Sequence, residues 1–365
     1  MKGISSTGFL LSAAAATLLA ASCAVEPKVS DNTLAKQYFD SWIALNHPDA
    51  VRAGNGIYIL EDIPGDGPAW SGEDGEVAFV KYTRKDLSGK VSSTNDEDVA
   101  KQVGTYSSGN YYGWNMWYNS TSGLYAGLAD ALEGMKIGGT REVAIPSWLM
   151  VYARYDDEET YLNPPKKKKK KKNDSSSTSS ESNAIYRFTL MEQAADIKSW
   201  QVDTLERYVS HNMHGVDSTT YDGGDDTARF GFYFLSLKPG TGSSIIPKDS
   251  TVYINYTARL LNGKVFDTTL SKTAKQHGIY SETKTYEPVS ITWGEKYTDL
   301  KMGASGSSMI AGFQACLFHM HPMEKAVCAF WSELGYSYSG SGQKIPPYSP
   351  LSFEIELVEA PESDY

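Results

Sequence analysis

Cysteine is scarce in this sequence, three in 365 residues, and the three show no repeated spacing. That excludes a small disulfide-knit scaffold. Positive charge is also in deficit, with 34 Lys+Arg against 44 Asp+Glu and a formal net charge of -10. A general nucleic-acid binder carries the opposite balance, so no nucleic-acid partner is expected. Long apolar runs are missing beyond the N-terminus, and no phosphate-cradling glycine loop or nucleophile elbow appears. What is present is apolar and aromatic material, 41% and 12% of the residues. That is enough to build true cores and to exclude a largely disordered chain. At roughly 100–200 residues per domain, the length holds two or three domains.

The N-terminal apolar run begins after Lys2 with Phe9-Leu10-Leu11 and ends with Leu18-Leu19-Ala20-Ala21. It is too short to span a bilayer and reads as a signal peptide over 1–22. Leu19-Ala20-Ala21-Ser22 ahead of Cys23 resembles a bacterial lipoprotein box, which makes Cys23 the expected lipidation site. The alternative is an ordinary signal peptide that happens to contain a cysteine. Two or three acyl chains would hold the protein stably to a membrane. Residues 23–50 then read as a tether followed by a helix near 33–45, with Tyr38, Phe39, Trp42 and Ile43 at helical spacing.

An internal repeat organises the rest. Gly56-Ile57-Tyr58-Ile59-Leu60 leads into Pro64-Gly65, and Gly231-Phe232-Tyr233-Phe234-Leu235 leads into Pro239-Gly240, at an offset of 175. Lys81-Tyr82-Thr83 recurs as Asn255-Tyr256-Thr257 at 174, Ala126-Gly127-Leu128 as Ala311-Gly312-Phe313 at 185, and Phe188 as Phe353 at 165. Order is kept while loop insertions move the offset. Each copy reads as an aromatic strand, a Pro/Gly turn, an alternating second strand, one short helix and two closing strands, an α+β plan. The boundaries are 51–196 and 228–361, joined over 197–227 by a helix and a loop. The helix face would be Trp200, Leu205, Tyr208 and Val209. The first copy carries a low-complexity insertion over 163–183, with lysines at 166–172. That run reads as a solvated loop tip or as an electrostatic contact with anionic lipid.

The second copy resembles the FKBP-type peptidyl-prolyl isomerases. The residues that carry the likeness are Val252-Tyr253-Ile254-Asn255-Tyr256-Thr257, Gly263-Lys264-Val265-Phe266-Asp267, Pro288-Val289-Ser290-Ile291, Met309-Ile310-Ala311-Gly312-Phe313, Leu334-Gly335-Tyr336, Ile345-Pro346-Pro347 and Leu351-Ser352-Phe353. The resemblance implies two FKBP-like domains, each an antiparallel sheet curled around a short helix. It implies catalytic roles for Tyr256, Phe266, Asp267, Ile310, Tyr336 and Phe353, and substrate contacts from Val289, Met309, Phe313 and Ile345. The Ile310 N–H and the Tyr336 hydroxyl would bond substrate carbonyls. Phe313 stands where the family usually has a Trp floor, and Val289 where it has an aromatic wall, which implies a larger or shallower pocket. Relative to the family, segments 272–287 and 295–308 are longer. The expected partners are proline-containing polypeptides, with no cofactor and no metal. The lipoprotein start and tandem copies are similar to those of Gram-negative envelope isomerases, so the expected location is the cell envelope, at the outer membrane.

In the first copy Ser92-Ser93 replaces Phe266-Asp267, Tyr125 and Leu128 replace Ile310 and Phe313, and Val151 replaces Tyr336. The apolar edge and the carboxylate are gone, so this copy reads as a degenerate scaffold or a chaperone-like module. Its aromatic segment Tyr111, Tyr112, Trp114 and Trp117 would bind polypeptide or pack between domains. The rival to the enzyme is a non-catalytic envelope module that docks proteins through both copies. Cys316 and Cys328 read as buried thiols or, in an oxidising compartment, a disulfide. His211/His214 and His319/His321 lack a third ligand.

Overall fold

The computed structural model describes residues 31–165, 182–214, 231–241 and 245–361. The expected leader with Cys23, the lysine run and the loop after the linker helix lie outside the described residues. The N-terminal unit contains β1 (Val51–Ala53), β2 (Ile57–Ile63), β3 (Val77–Lys85), β4 (Val91–Thr94), β5 (Asn115–Tyr118), β6 (Thr140–Ile145) and β7 (Ala184–Ala194). Its helices are α1 (Asp31–Asn46), α2 (Glu97–Gln102), α3 (Ala126–Leu132) and α4 (Glu158–Leu162), and α5 (Ile197–Asn212) follows as the linker. The C-terminal unit contains β8 (Phe232–Lys238), β9 (Thr251–Leu260), β10 (Val265–Thr268), β11 (Val289–Thr292), β12 (Lys301–Met302), β13 (Lys325–Phe330) and β14 (Leu351–Val358). Helices α6 (Ser271–Gln276) and α7 (Ala311–Phe318) complete it.

The sheets repeat one topology. β2-β6-β7-β3 in the first unit matches β8-β13-β14-β9 in the second. In each, the last strand also carries two short partners, β4 and β5 on β3, β10 and β11 on β9. Every pairing is antiparallel, and the α+β class expected from the sequence is the fold observed. Burial along β14 alternates over its second half, which leaves Phe353, Ile355 and Leu357 in the core and Glu354 and Glu356 more exposed.

A glycine brings each short helix down onto its sheet. A Cβ on Gly312 would fall 2.5 Å from the Phe330 ring, and one on Gly127 would run into Ile145. That close approach puts Ile310 and Phe313 over the sheet face.

Helix α1 packs into the first unit. Phe39 is fully buried, with its ring edge-on to Trp148 at 5.7 Å. Helix α5 bridges the units. Leu205 and Val209 are buried with Met213, Tyr233 and Ala329. Trp200 lies on Phe79 of the first unit at 4.5 Å, and the Tyr208 hydroxyl bonds Ser352 Oγ of the second at 3.0 Å. The expected face therefore divides between the two units.

Candidate active site

The site forms where β9, β10, β14 and α7 meet. Strand periodicity places Tyr256 and Phe353 on the face under α7, with rings 6.5 Å apart. Phe313 descends from α7 between them, 5.5 Å from Tyr256 and 5.0 Å from Phe353. Phe330 stacks behind Phe353 at 5.6 Å. The pairing of β10 with β9 slips between Val265 and Asp267, so Phe266 is an extra, bulged residue. A bulge re-aims a side chain, and here Phe266 meets Phe353 edge-on at 6.0 Å.

These rings enclose a cavity of about 400 Å³ lined by Tyr256, Phe266, Asp267, Met302, Ser308, Met309, Ile310, Phe313, Tyr336 and Phe353. Eight of the ten expected site residues line it. Val289 and Ile345 do not: Val289 pairs with Ile254 on β11, and Ile345 is buried in the core. Met302 and Ser308 were not anticipated. They come from the long segment before α7, whose path no local pattern reveals.

The one carboxylate of the cavity is held on both oxygens. The Tyr256 hydroxyl donates to Asp267 Oδ2 at 2.7 Å. The Thr268 N–H donates to Oδ1 at 2.9 Å, and Lys284 Nζ donates to the same oxygen. Lys284 was missed because it lies 17 positions from Asp267 in a loop with no periodic signal. Burial, and next the charge of Asp267, push the Tyr256 phenol well above its ordinary pKa. Burial likewise raises Tyr336. Among the described residues, the Tyr336 hydroxyl and the Ile310 N–H have no hydrogen-bond partner. The arrangement is an apolar aromatic bowl with two unused polar groups at its edge. It suits a compact apolar ring flanked by carbonyls.

The first unit keeps the frame without the chemistry. Its β4 pairing slips so that Ser92 is the bulged residue, the counterpart of Phe266. Ser92 Oγ turns to the Arg84 carbonyl at 3.3 Å. The Trp117 indole packs on Tyr82, Tyr186 and Phe188.

The remaining sequence candidates have structural roles. Cys316 and Cys328 are free, buried thiols, and burial raises the Cys316 pKa. His211 and His319 bond helix carbonyls, and His321 pairs with Glu324. Among the described residues no group of three or more His, Cys, Asp or Glu could hold a metal. A second cavity of about 400 Å³ lies between the units, lined in part by Phe79, Trp114, Trp200, Tyr208 and Pro346. It shares no residue with the aromatic bowl.

Residues 242–358 match the family model of the FKBP-type peptidyl-prolyl cis-trans isomerases. Among similar proteins, the macrophage infectivity potentiator of Trypanosoma cruzi is 27% identical over 128 residues, 35% of this chain and 52% of that protein. A probable FKBP-type peptidyl-prolyl cis-trans isomerase of Haemophilus influenzae is 30% identical over 139 residues, 38% of this chain and 46% of that one. The FK506-binding protein of Neisseria meningitidis is 27% identical over 132 residues, 36% of this chain and 98% of that one. The chain thus spans about half the length of the first two relatives and nearly all of the third. The C-terminal unit thus carries an FKBP-type peptidyl-prolyl cis-trans isomerase domain, matched over residues 242–358.

Proposed function

We propose that the C-terminal unit catalyses cis-trans isomerisation of X-Pro bonds in polypeptides of the bacterial cell envelope. In this reading the chain is anchored through lipidated Cys23 at the outer membrane, and the N-terminal unit is a non-catalytic scaffold. The observation that carries the catalytic reading is the joining of Phe266, Asp267, Tyr256 and Tyr336 around one aromatic cavity.

Rotation about X-Pro crosses a barrier of ~18–20 kcal/mol because twisting breaks amide resonance. No nucleophile or acid is needed. The planar amide carries partial charges that water stabilises, and the twisted amide carries less. An apolar bowl therefore favours the twisted form, and donors that hold the flanking carbonyls stabilise it further. Phe313, Phe353 and Phe266 supply the bowl. The Ile310 N–H and the Tyr336 hydroxyl supply the donors. Asp267 orders the Tyr256 ring through its hydroxyl.

The test is a protease-free isomerisation assay on a prolyl peptide with the full chain. Phe266→Ala and Asp267→Ala are each expected to lower kcat/KM about tenfold, equivalent to ~1.4 kcal/mol. Substitutions at Ser92 and Ser93 should change nothing. Full activity in both folded variants removes the pocket assignment, and an inactive parent leaves a peptide-docking module. The anchor is tested separately: Cys23→Ala should release soluble protein or leave uncleaved precursor.

A further inference from the structure

Each unit carries the same clasped loop. After α2 and after α6 the chain turns at a left-handed glycine, Gly104 or Gly278. Two tyrosines then stack, Tyr106 on Tyr112 at 5.4 Å and Tyr280 on Tyr286 at 5.1 Å. The second hydroxyl of each pair accepts a backbone N–H, from Ser107 at 2.9 Å and Ser281 at 3.0 Å. A lysine sits over each first ring, Lys101 and Lys275.

The residues inside the two clasps go to different places. In the C-terminal unit, Lys284 reaches Asp267 of its own site. In the N-terminal unit the clasped residues cross to the neighbour. Ser108 Oγ donates to the Gly278 carbonyl, and the Ser108 carbonyl accepts from Lys264 Nζ at 3.0 Å. The Tyr111 N–H donates to the Gln343 carbonyl at 2.8 Å, and its ring packs against the C-terminal core.

Two of the three receiving points, Lys264 and Gln343, lie on segments that carry wall residues of the aromatic cavity, Phe266 and Tyr336. Lys264 precedes the bulge at Phe266 by two residues. Gln343 lies in the loop at 336–348, which begins at Tyr336 and is closed by Tyr348 N–H to Ser337 O at 2.8 Å. The floor residues Tyr256, Phe313 and Phe353 stand on the C-terminal unit's own β9, α7 and β14.

We propose that the loop at 105–112 of the N-terminal unit braces the catalytic walls of its neighbour, with Tyr111 as the positioning residue; this rests on the isomerase reading above. The degenerate unit is then a working part of the site. Loss of the brace leaves the peptide-binding floor intact and lets the wall bearing Tyr336 drift, so it acts on the twisting step more than on binding.

In the full chain, Tyr111→Ala is expected to speed amide hydrogen exchange across 336–348. It should also lower kcat about tenfold while KM stays within about twofold. Tyr111→Phe, which keeps the ring, should match the parent. Unchanged exchange with unchanged kcat in Tyr111→Ala overturns the proposal, and so does a lower Tm with neither change. An inactive parent defeats the isomerase reading alone. Exchange at 336–348 then decides the brace: faster exchange supports it and unchanged exchange refutes it. Where Tyr111→Ala does not fold, Tyr111→Leu keeps most of the apolar volume and is read by the same outcomes.

Discussion

Replacing Gly312 with alanine tests how the site is built. A helical glycine exchanged for alanine ordinarily stabilises by ~0.5–1 kcal/mol, because the unfolded chain loses freedom. At Gly312 the added carbon would lie 2.5 Å from two atoms of the Phe330 ring. Carbon contacts settle near ~3.5–4.0 Å, so something must move by about 1 Å. Phe330 has no room to yield, since it is fully buried and stacked on Phe353. The helix lifts instead, and overpacking of this kind costs ~1–3 kcal/mol. The clash therefore outweighs the propensity gain, and the C-terminal unit should lose about 1–2 kcal/mol net. Because Ile310 and Phe313 ride on α7, kcat/KM should fall by a further factor of up to ~100. Gly127→Ala in the first unit provides the control. It strains the helix against Ile145 but should leave isomerisation within about twofold. Urea unfolding and the peptide assay on both variants decide the matter. A Gly312→Ala chain as stable and as active as the parent would refute this account of the close approach.

Three other outcomes are expected. Tyr256→Phe keeps the ring contacts and deletes the donor to Asp267. A bond to a charged group is worth ~1.5–3 kcal/mol when well shielded, but the Asp267 side chain is 40% exposed, so the loss should be about 1 kcal/mol in urea unfolding. Stability should decline above about pH 10, since Tyr256, Tyr336, Tyr111 and Tyr233 all have raised values. The folded chain keeps protons that the unfolded chain releases there, so this contribution is whole below pH ~10 and is lost as pH rises through the folded-state values. The depressed Lys264 acts in the opposite sense. Urea midpoints at rising pH check this, with a flat profile counting against it. Cys316 and Cys328 are buried, so in native protein these two thiols should resist maleimide and label fully once unfolded. Rapid native labelling would show that α7 and β13 separate readily.

The sequence alone determined the duplication, the α+β class and most of the aromatic bowl. The first two follow from patterns that repeat along the chain, the alternation in Val252 to Leu260 and the paired motifs of the two copies, and the bowl from the resemblance to the FKBP-type isomerases that those motifs carry. Tyr106-Ser107 and Tyr112 also recur as Tyr280-Ser281 and Tyr286 at an offset of 174, but that these residues form clasped loops came only from the structure. Only the tertiary structure decided that Phe266 is a bulged residue, because a bulge is a property of two strands in register. It also placed Lys284 on Asp267, brought Met302 and Ser308 into the cavity, and left Val289 and Ile345 out of it. The contact of Tyr111 with Gln343 joins positions 232 apart in the chain. Such contacts depend on where loops travel and how two units dock, and short-range periodicity carries no trace of either.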